Sequence, residues 1–425
     1  MQPLSHVKAL FNKVARKSAS LLPRRRRYRV FRALVRCDLH PDQRLEVKIA
    51  ETPHELEACY RLLHDAYVDR GLMVPHPSGL RLTLYHALPT TTTICAKFAG
   101  NVVGTLSLIR ESPLGLPAQR IFDLTGVRGR RGSIAEASAL AIAPQFRGSG
   151  GAVLFPLMKF MYEYCASFTD TRHLLIAVHP RHIEMYEGLF LFRRLTGKVV
   201  VSYDYVNGAP AVGATLDLRH APEIFRRYYG GRPLLRNLHH YFMEAGLANL
   251  HMPQRRLTTA DDPAMPPALI DYFFNRQTQV FANLDGRRLA LMHLIYGRPE
   301  YRRLLPAPPT GNDDTAMRGH RRFPIRCPGQ LISNQAGRAP IAIELSEVSR
   351  YGFRARARDA VPDNIWMTAE VRVGRYDVAR LLVMAMQSSQ LGGTLYYGFA
   401  IGEPDLVWRK FVNALYDGRP GNDPA

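Results

Sequence analysis

Cysteine is scarce in this chain of 425 residues: Cys37, Cys59, Cys95, Cys165 and Cys327 are all there are. No two form a CxxC pair or stand at metal-ligand spacing, which argues against a disulfide framework and against a bound metal. They read as free thiols of a reducing compartment. Missing too is any run of about 18 apolar residues, so no membrane-spanning helix is expected. The first residues lack the apolar core of a signal peptide. These absences make a cytoplasmic protein the expectation. Residues 1–36 contain no acid at all, against eleven Lys and Arg. Nowhere does Gly-Lys-Ser/Thr follow a glycine loop, which removes the P-loop nucleotide-binding class.

With 46% hydrophobic and 22% charged residues, a chain of this length is expected to form two or three globular domains. Its net charge of +21 is unevenly placed. Leu4, Val7, Phe11 and Val14 recur at helical spacing ahead of Arg24-Arg25-Arg26-Arg27. A basic amphipathic helix followed by an arginine cluster suits an anionic membrane surface, at roughly 1 kcal/mol per basic residue. Nucleic acid is a less favoured partner, and a solvated tail is the third reading.

The most informative stretch is Gln145-Phe146-Arg147-Gly148-Ser149-Gly150. An apolar segment, 137–144, reads as a buried strand before it, and 152–168 reads as a helix after it. A strand that ends in a glycine turn and opens a helix presents backbone N–H groups to an anion, aided by the helix dipole. Val153 stands where a dinucleotide fingerprint needs glycine. Pro156 strains the picture, because an interior proline costs roughly 3 kcal/mol. Either the helix begins near Leu154 or the turn is longer than usual. Other elements follow the same logic. Residues 44–50 alternate as a strand, Thr52-Pro53-His54-Glu55 is a capping box opening a helix to about Asp69, and 94–98 with 102–109 form a hairpin. A strand at 174–178 leads into a helix from Pro180 that carries Tyr186.

This order, over residues 42–217, resembles the GNAT acyltransferase fold. Glu136-Ala137-Ser138 resembles the Glu-x-Ser of autoinducer synthases and, more closely, of the long-chain N-acyl amino acid synthases related to them. Tyr60-Arg61-Leu62-Leu63-His64-Asp65-Ala66-Tyr67 and Tyr205-Val206-Asn207-Gly208 resemble the latter group too. Autoinducer synthases usually carry arginine after the serine; here it is Ala139, which tells against a homoserine-lactone product.

Acyl transfer from a thioester to an amine needs a free amine, a stabilised oxyanion and a protonated leaving thiol. Glu136 is the candidate base, since burial beside an apolar strand would raise its pKa toward the working range. The alternative is a carboxylate paired with Arg128, Arg130 or Arg131. Backbone N–H groups around Leu140 and Ala141 are expected to hold the oxyanion. The superfamily often carries a tyrosine where Tyr186 falls, and the resemblance makes it the donor of a proton to the thiolate. The alternative packs Tyr186 beside Phe190 and Phe192. His179 and His182 read as capping or surface residues, Cys59 and Cys165 as small core residues. The expected donor is a phosphopantetheine thioester held by Gln145, Arg147, Gly148, Ser149 and Gly150. Family resemblance favours acyl carrier protein over coenzyme A, and Arg128, Arg130, Arg131 and Arg147 would steer that acidic partner.

Near the C-terminus, Arg321-Arg322-Phe323-Pro324-Ile325-Arg326 opens a run of strands at 341–345, 353–357 and 366–373. With Glu347-Val348-Ser349-Arg350-Tyr351-Gly352 this resembles a PilZ domain over 321–417, whose pattern is RxxxR followed by Asp/Asn-x-Ser-x-x-Gly. Such domains commonly bind cyclic di-GMP. The resemblance assigns Arg321, Arg322, Arg326, Glu347, Ser349 and Gly352 to that ligand; arginine pairs suit both phosphate and guanine. Glu347 departs from the pattern, placing its carboxylate about one C–C bond (~1.5 Å) further out. Trp408, Phe411, Val412 and Leu415 share one face of a closing helix.

The expected architecture is therefore an α/β GNAT-like mixed sheet with flanking helices, a helical connector and a small all-β PilZ barrel. Its boundaries are a basic arm at 1–41, the acyltransferase domain at 42–217, the connector at 218–297, a flexible linker at 298–320 and the barrel at 321–417. Within the connector, 267–281 and 287–296 read as amphipathic helices. The expected activity moves a fatty acyl group to the amine of an amino acid, under cyclic di-GMP control and without a metal. A signalling adaptor that binds acyl ligands without turnover, or an acetyltransferase using acetyl-CoA, are the other readings.

Overall fold

The computed structural model of the chain describes residues 22–416, apart from 113, 129, 131–132, 170, 196–198, 254–264, 297–298, 308–322, 334–338, 363–364, 375, 392–393 and 403. The basic helix expected around Leu4–Val14 lies outside the described residues, as do Arg131, Arg321 and Arg322. Two compact units emerge. One holds 22–110, 116–127 and 134–265; the other holds 111–115, 128–133 and everything from Pro266 on.

The first unit is a mixed sheet of nine strands. Its order is β6 (Arg193–Arg194), β8 (Ala209–Asp217), β5 (Thr171–Val178), β4 (Ser133–Ile142), β3 (Asn101–Arg110), β2 (Thr91–Phe98), β1 (Leu45–Ile49) and β9 (Leu250–His251). Strand β7 (Val200–Tyr203) pairs with β8 off that path. Helix α1 (Arg24–Leu34) precedes the sheet. Helix α2 (Pro53–Val68) begins at the capping box: Thr52 accepts from the Glu55 N–H at 3.2 Å, and the Glu55 carboxylate accepts from the Thr52 N–H at 3.3 Å. The hairpin β2–β3 turns at Ala99-Gly100, both left-handed.

Helix α3 (Leu154–Phe168) begins after the glycine turn, so Pro156 falls in its first turn. There a missing N–H forfeits no intrahelical bond, which removes the strain expected of it. Leu157, Phe160, Met161 and Tyr164 of α3 are buried in the main core. Helix α4 (Pro180–Gly188) follows β5 and is capped by His179, whose ring accepts from the Arg181 N–H at 3.2 Å. Helix α5 (Ala221–Tyr229) and the widened turn His240–Glu244 add Phe225, Tyr229, Tyr241 and Phe242 to the same core. Residues 221–251 are thus part of the first unit's core, and β9 pairs in parallel with β1.

The arginine cluster before residue 36 is only partly free. Arg24 pairs with Glu187 and Arg27 with Glu184, both on α4. Arg25, Arg26, Arg29 and Arg36 face outward, as do Leu34 and, from the turn Leu234–Arg236, Leu234 and Leu235. The Cys37 N–H donates to the Leu235 carbonyl at 2.9 Å, so these exposed leucines lie together.

In the second unit, the helix expected at 267–281 is broken. An α-helical turn at Pro267–Ile270 widens over Asp271–Gln277, and Gln279 turns left-handed at φ 53° before a tight turn at Val280–Asn283. The Thr278 hydroxyl donates to the Phe273 carbonyl at 2.6 Å and closes the widened stretch. Hydroxyls of this kind compete with the helical ladder, a local choice that periodicity does not reveal. Helix α6 (Gly286–Ile295) follows as expected.

The rest closes into an antiparallel barrel, in the order β10 (Phe323–Ser333), β11 (Ile341–Ser349), β12 (Gly352–Ala357), β15 (Thr394–Ile401), β14 (Val378–Leu391) and β13 (Trp366–Arg372). Helix α7 (Leu406–Tyr416) buries Trp408 and Val412 against a core that includes Phe353, Leu381 and Phe399. Closure leaves no strand edge open to another chain. This is the small barrel that the spacing of strands and the apolar face of α7 require.

Candidate active site

Glu136 sits in the middle of β4, opposite Ile109 of β3, and is 2% exposed. Its carboxylate accepts one hydrogen bond, from the Ala118 N–H at 2.9 Å. Burial without an ion pair pushes its pKa up to about 8. Among the described residues no arginine pairs with Glu136; Arg128, one of the partners considered, pairs with Glu111 at 2.6 Å. Further along β4 the ladder is broken: Ser107 faces Ser138 and Thr105 faces Ala141, leaving Ala139 and Leu140 opposite Leu106 alone. Ala139 there is left-handed, at φ 53°. Such a bulge takes a backbone group out of the ladder, next to Leu140 and Ala141, where the oxyanion donors were expected. Ala139 and Ala141 pack with Leu63 and Ala66 of α2, with Tyr67 alongside.

Four tyrosines lie within the field of the Glu136 carboxylate: Tyr67, Tyr85, Tyr203 and Tyr205. Burial raises the pKa of each, that of Tyr205 to about 12. Tyr203 and Tyr205 stack with centroids 5.5 Å apart. The Tyr203 hydroxyl is buried and has no hydrogen-bond partner among the described residues. Arg81 lies with its guanidinium 4.1 Å from the Tyr67 ring centroid and 5.3 Å from that of Tyr205, donating to the Tyr205 carbonyl at 2.7 Å. Arg120 lies against the Tyr85 hydroxyl.

Tyr186 of α4 is buried, its ring centroid 5.9 Å from those of both Phe190 and Phe192. Burial, with Tyr67 nearby, pushes its pKa up to about 12. Tyr67 thus lies within the field of Glu136 and itself acts on Tyr186.

The glycine turn places Gln145, Gly148, Ser149 and Gly150 at the surface. Gly148 and Gly150 have φ of 82° and 74°, and open space where a Cβ would stand. That backbone shape favours glycine. No side chain caps α3; in its first turn the Phe155 N–H donates to the Gly151 carbonyl at 2.9 Å, the Leu157 N–H to the Val153 carbonyl at 3.2 Å, and Pro156 carries none. Arg147 donates through Nε to the Ile142 carbonyl at 2.7 Å, and its Nη1 is 3.8 Å from Asp69. Arg70 feels the charges of Arg147 and Arg181, which with burial lower its pKa. Burial, Arg181, Arg70 and His179 together hold His182 down to about 4. The cations gathered here are thus Arg70, Arg147 and Arg181. Of the four arginines expected, Arg147 is among them, Arg128 pairs with Glu111, and Arg131 lies outside the described residues. Arg70 and Arg181 come from elements far apart in sequence, and no motif flags them.

In the barrel, Arg326 pairs with Glu344 at 2.8 Å, and Glu344 pairs with Arg356 at 2.7 Å. Glu347, Ser349 and Gly352 share the β11–β12 hairpin. The Ser349 hydroxyl donates to the Gly352 carbonyl at 3.0 Å, and the Ser349 carbonyl accepts from Trp408 Nε1 at 3.2 Å. A Cβ on residue 352 would stand 2.7 Å from the Phe399 carbonyl oxygen, so only glycine fits. Both residues thus have structural work in the hairpin. Arg350 and Arg354 add two more cations on this end, Arg354 lying 5.0 Å from the Tyr396 ring centroid.

Residues 58–217 match the family of the N-acyl amino acid synthase FeeM. The first unit is the N-acyltransferase, and Tyr67, Glu136, the glycine turn, Tyr186 and Tyr203 all lie inside the matched span. Among solved structures, FeeM from uncultured soil microbes is 25% identical over 42% of this chain and 94% of its own, with a TM-score of 0.36. The CoA-dependent acyl-homoserine lactone synthase BjaI is 19% identical over 50% of this chain and 95% of its own, with a TM-score of 0.35. YcgR from Escherichia coli, in complex with c-di-GMP, is 16% identical over 23% of this chain and 44% of its own, with a TM-score of 0.21. No curated protein matches the sequence. The second unit carries a PilZ-like barrel.

Proposed function

We propose that the first unit moves a fatty acyl group from a phosphopantetheine thioester to the α-amine of an amino acid. The observation that carries this reading is Glu136, a buried carboxyl with its pKa near 8 inside a synthase domain. An α-ammonium has a pKa near ~8, so proton transfer to Glu136 is close to balanced. The freed amine attacks the thioester carbonyl, and the N–H groups around Leu140 and Ala141 hold the oxyanion beside the bulge. The C–S bond then breaks as the amide forms. The thiolate leaves with the proton of Tyr186, which is restored from Glu136 by way of Tyr67 or a water. A phenol near 12 gives up its proton reluctantly to a thiolate whose acid has a pKa of ~8.5, so only a thiolate held close to it draws the proton.

The glycine turn with Arg70, Arg147 and Arg181 supports binding of the donor's phosphate, and a cationic rim of this kind suits an acidic carrier protein. The outward arginines of α1 beside exposed Leu34, Leu234 and Leu235 support docking on an anionic membrane, where a lipid product would partition. In the second unit, Arg326, Arg350 and Arg354 around the 347–352 hairpin support binding of cyclic di-GMP, with Arg321 and Arg322 as the other arm, and binding there regulates acyl transfer.

Purified protein tests each part. Palmitoyl-acyl carrier protein or palmitoyl-CoA is mixed with the twenty amino acids and the products are read by mass spectrometry, with and without cyclic di-GMP. N-Palmitoyl amino acids support the reading, and the preferred donor names the partner. No acylated product with either donor overturns it. Flat calorimetry with cyclic di-GMP removes the effector alone.

A further inference from the structure

Arg81 is 9% exposed, and no carboxylate among the described residues pairs with it. Its side chain donates to the Tyr205 carbonyl at 2.7 Å, to the Tyr67 hydroxyl and toward the Met73 sulfur at 3.8 Å, and its guanidinium lies over the Tyr67 and Tyr205 rings. A buried cation without a counter-charge is costly, and proteins keep one where an anion arrives. The surroundings supply no negative charge near neutral pH. His86 is buried and neutral, Tyr67 and Tyr205 keep their protons, and Glu136, which acts on both tyrosines, is largely protonated. A second unfilled polar group stands in the same cluster: the Tyr203 hydroxyl, 3% exposed and without a partner among the described residues.

We propose that Arg81 receives the α-carboxylate of the acceptor amino acid, with the Tyr203 hydroxyl as a second donor. This rests on the reading of the first unit as an amino acid acyltransferase. The amine and carboxylate of an amino acid are separated by one carbon, and Tyr67 touches Arg81 and lies within the field of Glu136. An acceptor anchored by its carboxylate on Arg81 therefore turns its amine toward Glu136. The phosphate of the donor has its own cations at the glycine turn, so Arg81 serves the acceptor and not the donor. The chemistry selects α-amino acids over plain amines and over amides, whatever the side chain.

The test compares kcat/KM for amino acids and for their primary amides, with palmitoyl-acyl carrier protein and palmitoyl-CoA as donors. Wild type is expected to prefer the acid by about 100-fold, the scale of one hydrogen bond to a charged group. Arg81→Met is expected to collapse the acid-over-amide ratio at least about 30-fold while leaving the donor KM in place, and Arg81→Lys to restore part of it. An equal loss for acid and amide would mean a structural prop and overturn the proposal. A ratio that survives in Arg81→Met overturns it too. If Arg81→Met does not fold, a wild-type ratio near one is enough to overturn it. Wild type that acylates neither acid nor amide with either donor overturns the acyltransferase reading first, and this inference with it.

Discussion

Glu136 combines two effects of one burial. In the folded chain it keeps its proton to about pH 8, whereas an unfolded glutamate loses it near 4.5. The folded state binds the extra proton, so stability falls as pH rises from about 4.5 to about 8. Glu136→Gln removes that penalty. Thermal melts should show the variant gaining on wild type over this window, by a few kcal/mol at most at pH 8 and by little at pH 5. The same substitution should lower acyl transfer by roughly 10²–10⁴-fold, and wild-type kcat/KM should climb with pH toward about 8. A variant that melts alike at both pH values, or a flat rate profile, contradicts the assignment. Tyr186→Phe should cost roughly 10²-fold in kcat, and a thioester with a more acidic thiol should recover most of it, since that leaving group needs no proton. The burial of Glu136 was legible from its position on an apolar strand. The places of Tyr85 and Tyr203 were not, because nothing in their local sequence says that separate segments come within the field of one carboxyl, and nothing near Arg81 says that it lies over the Tyr67 and Tyr205 rings.

At the scale of elements, the capping box of α2, the hairpin and the strand–turn–helix around Gly150 all follow from local chemistry, and the structure places them where spacing does. Gly150→Ala forces a Cβ into a backbone with φ of 74°, at a cost of about 1 kcal/mol. The donor KM should rise several-fold in this variant while the acceptor KM stays near wild type; the reverse pattern would move the donor away from the turn. The bulge at Ala139 was invisible beforehand, since alanine gives no sign of a left-handed backbone. So was the break in 267–281, where the Thr278 hydroxyl overrides an apolar period that fits a continuous helix. The core role of 221–251 was missed for a different reason: its aromatics read equally well as the apolar face of a free-standing connector.

For the whole molecule, charge is the property most easily read and most easily misread. The excess of +21 is real, yet Arg24 and Arg27 are spent on Glu187 and Glu184. What remains outward is Arg25, Arg26, Arg29 and Arg36 beside three exposed leucines. Vesicles rich in phosphatidylserine should pull the protein down, vesicles of phosphatidylcholine should not, and added salt should weaken the binding. Replacing Leu34, Leu234 and Leu235 with Gln should reduce it several-fold; unchanged binding would put the contact elsewhere. The central claim is chemical, and one measurement reaches it most directly: mass spectrometry of lipid extracts from a bacterial host making wild type or Glu136→Ala. The account predicts new N-acyl amino acids with wild type and none with the variant, and the masses name the chain and the acceptor together. Equal amounts from both, or no new lipid from a folded wild-type protein, would contradict it.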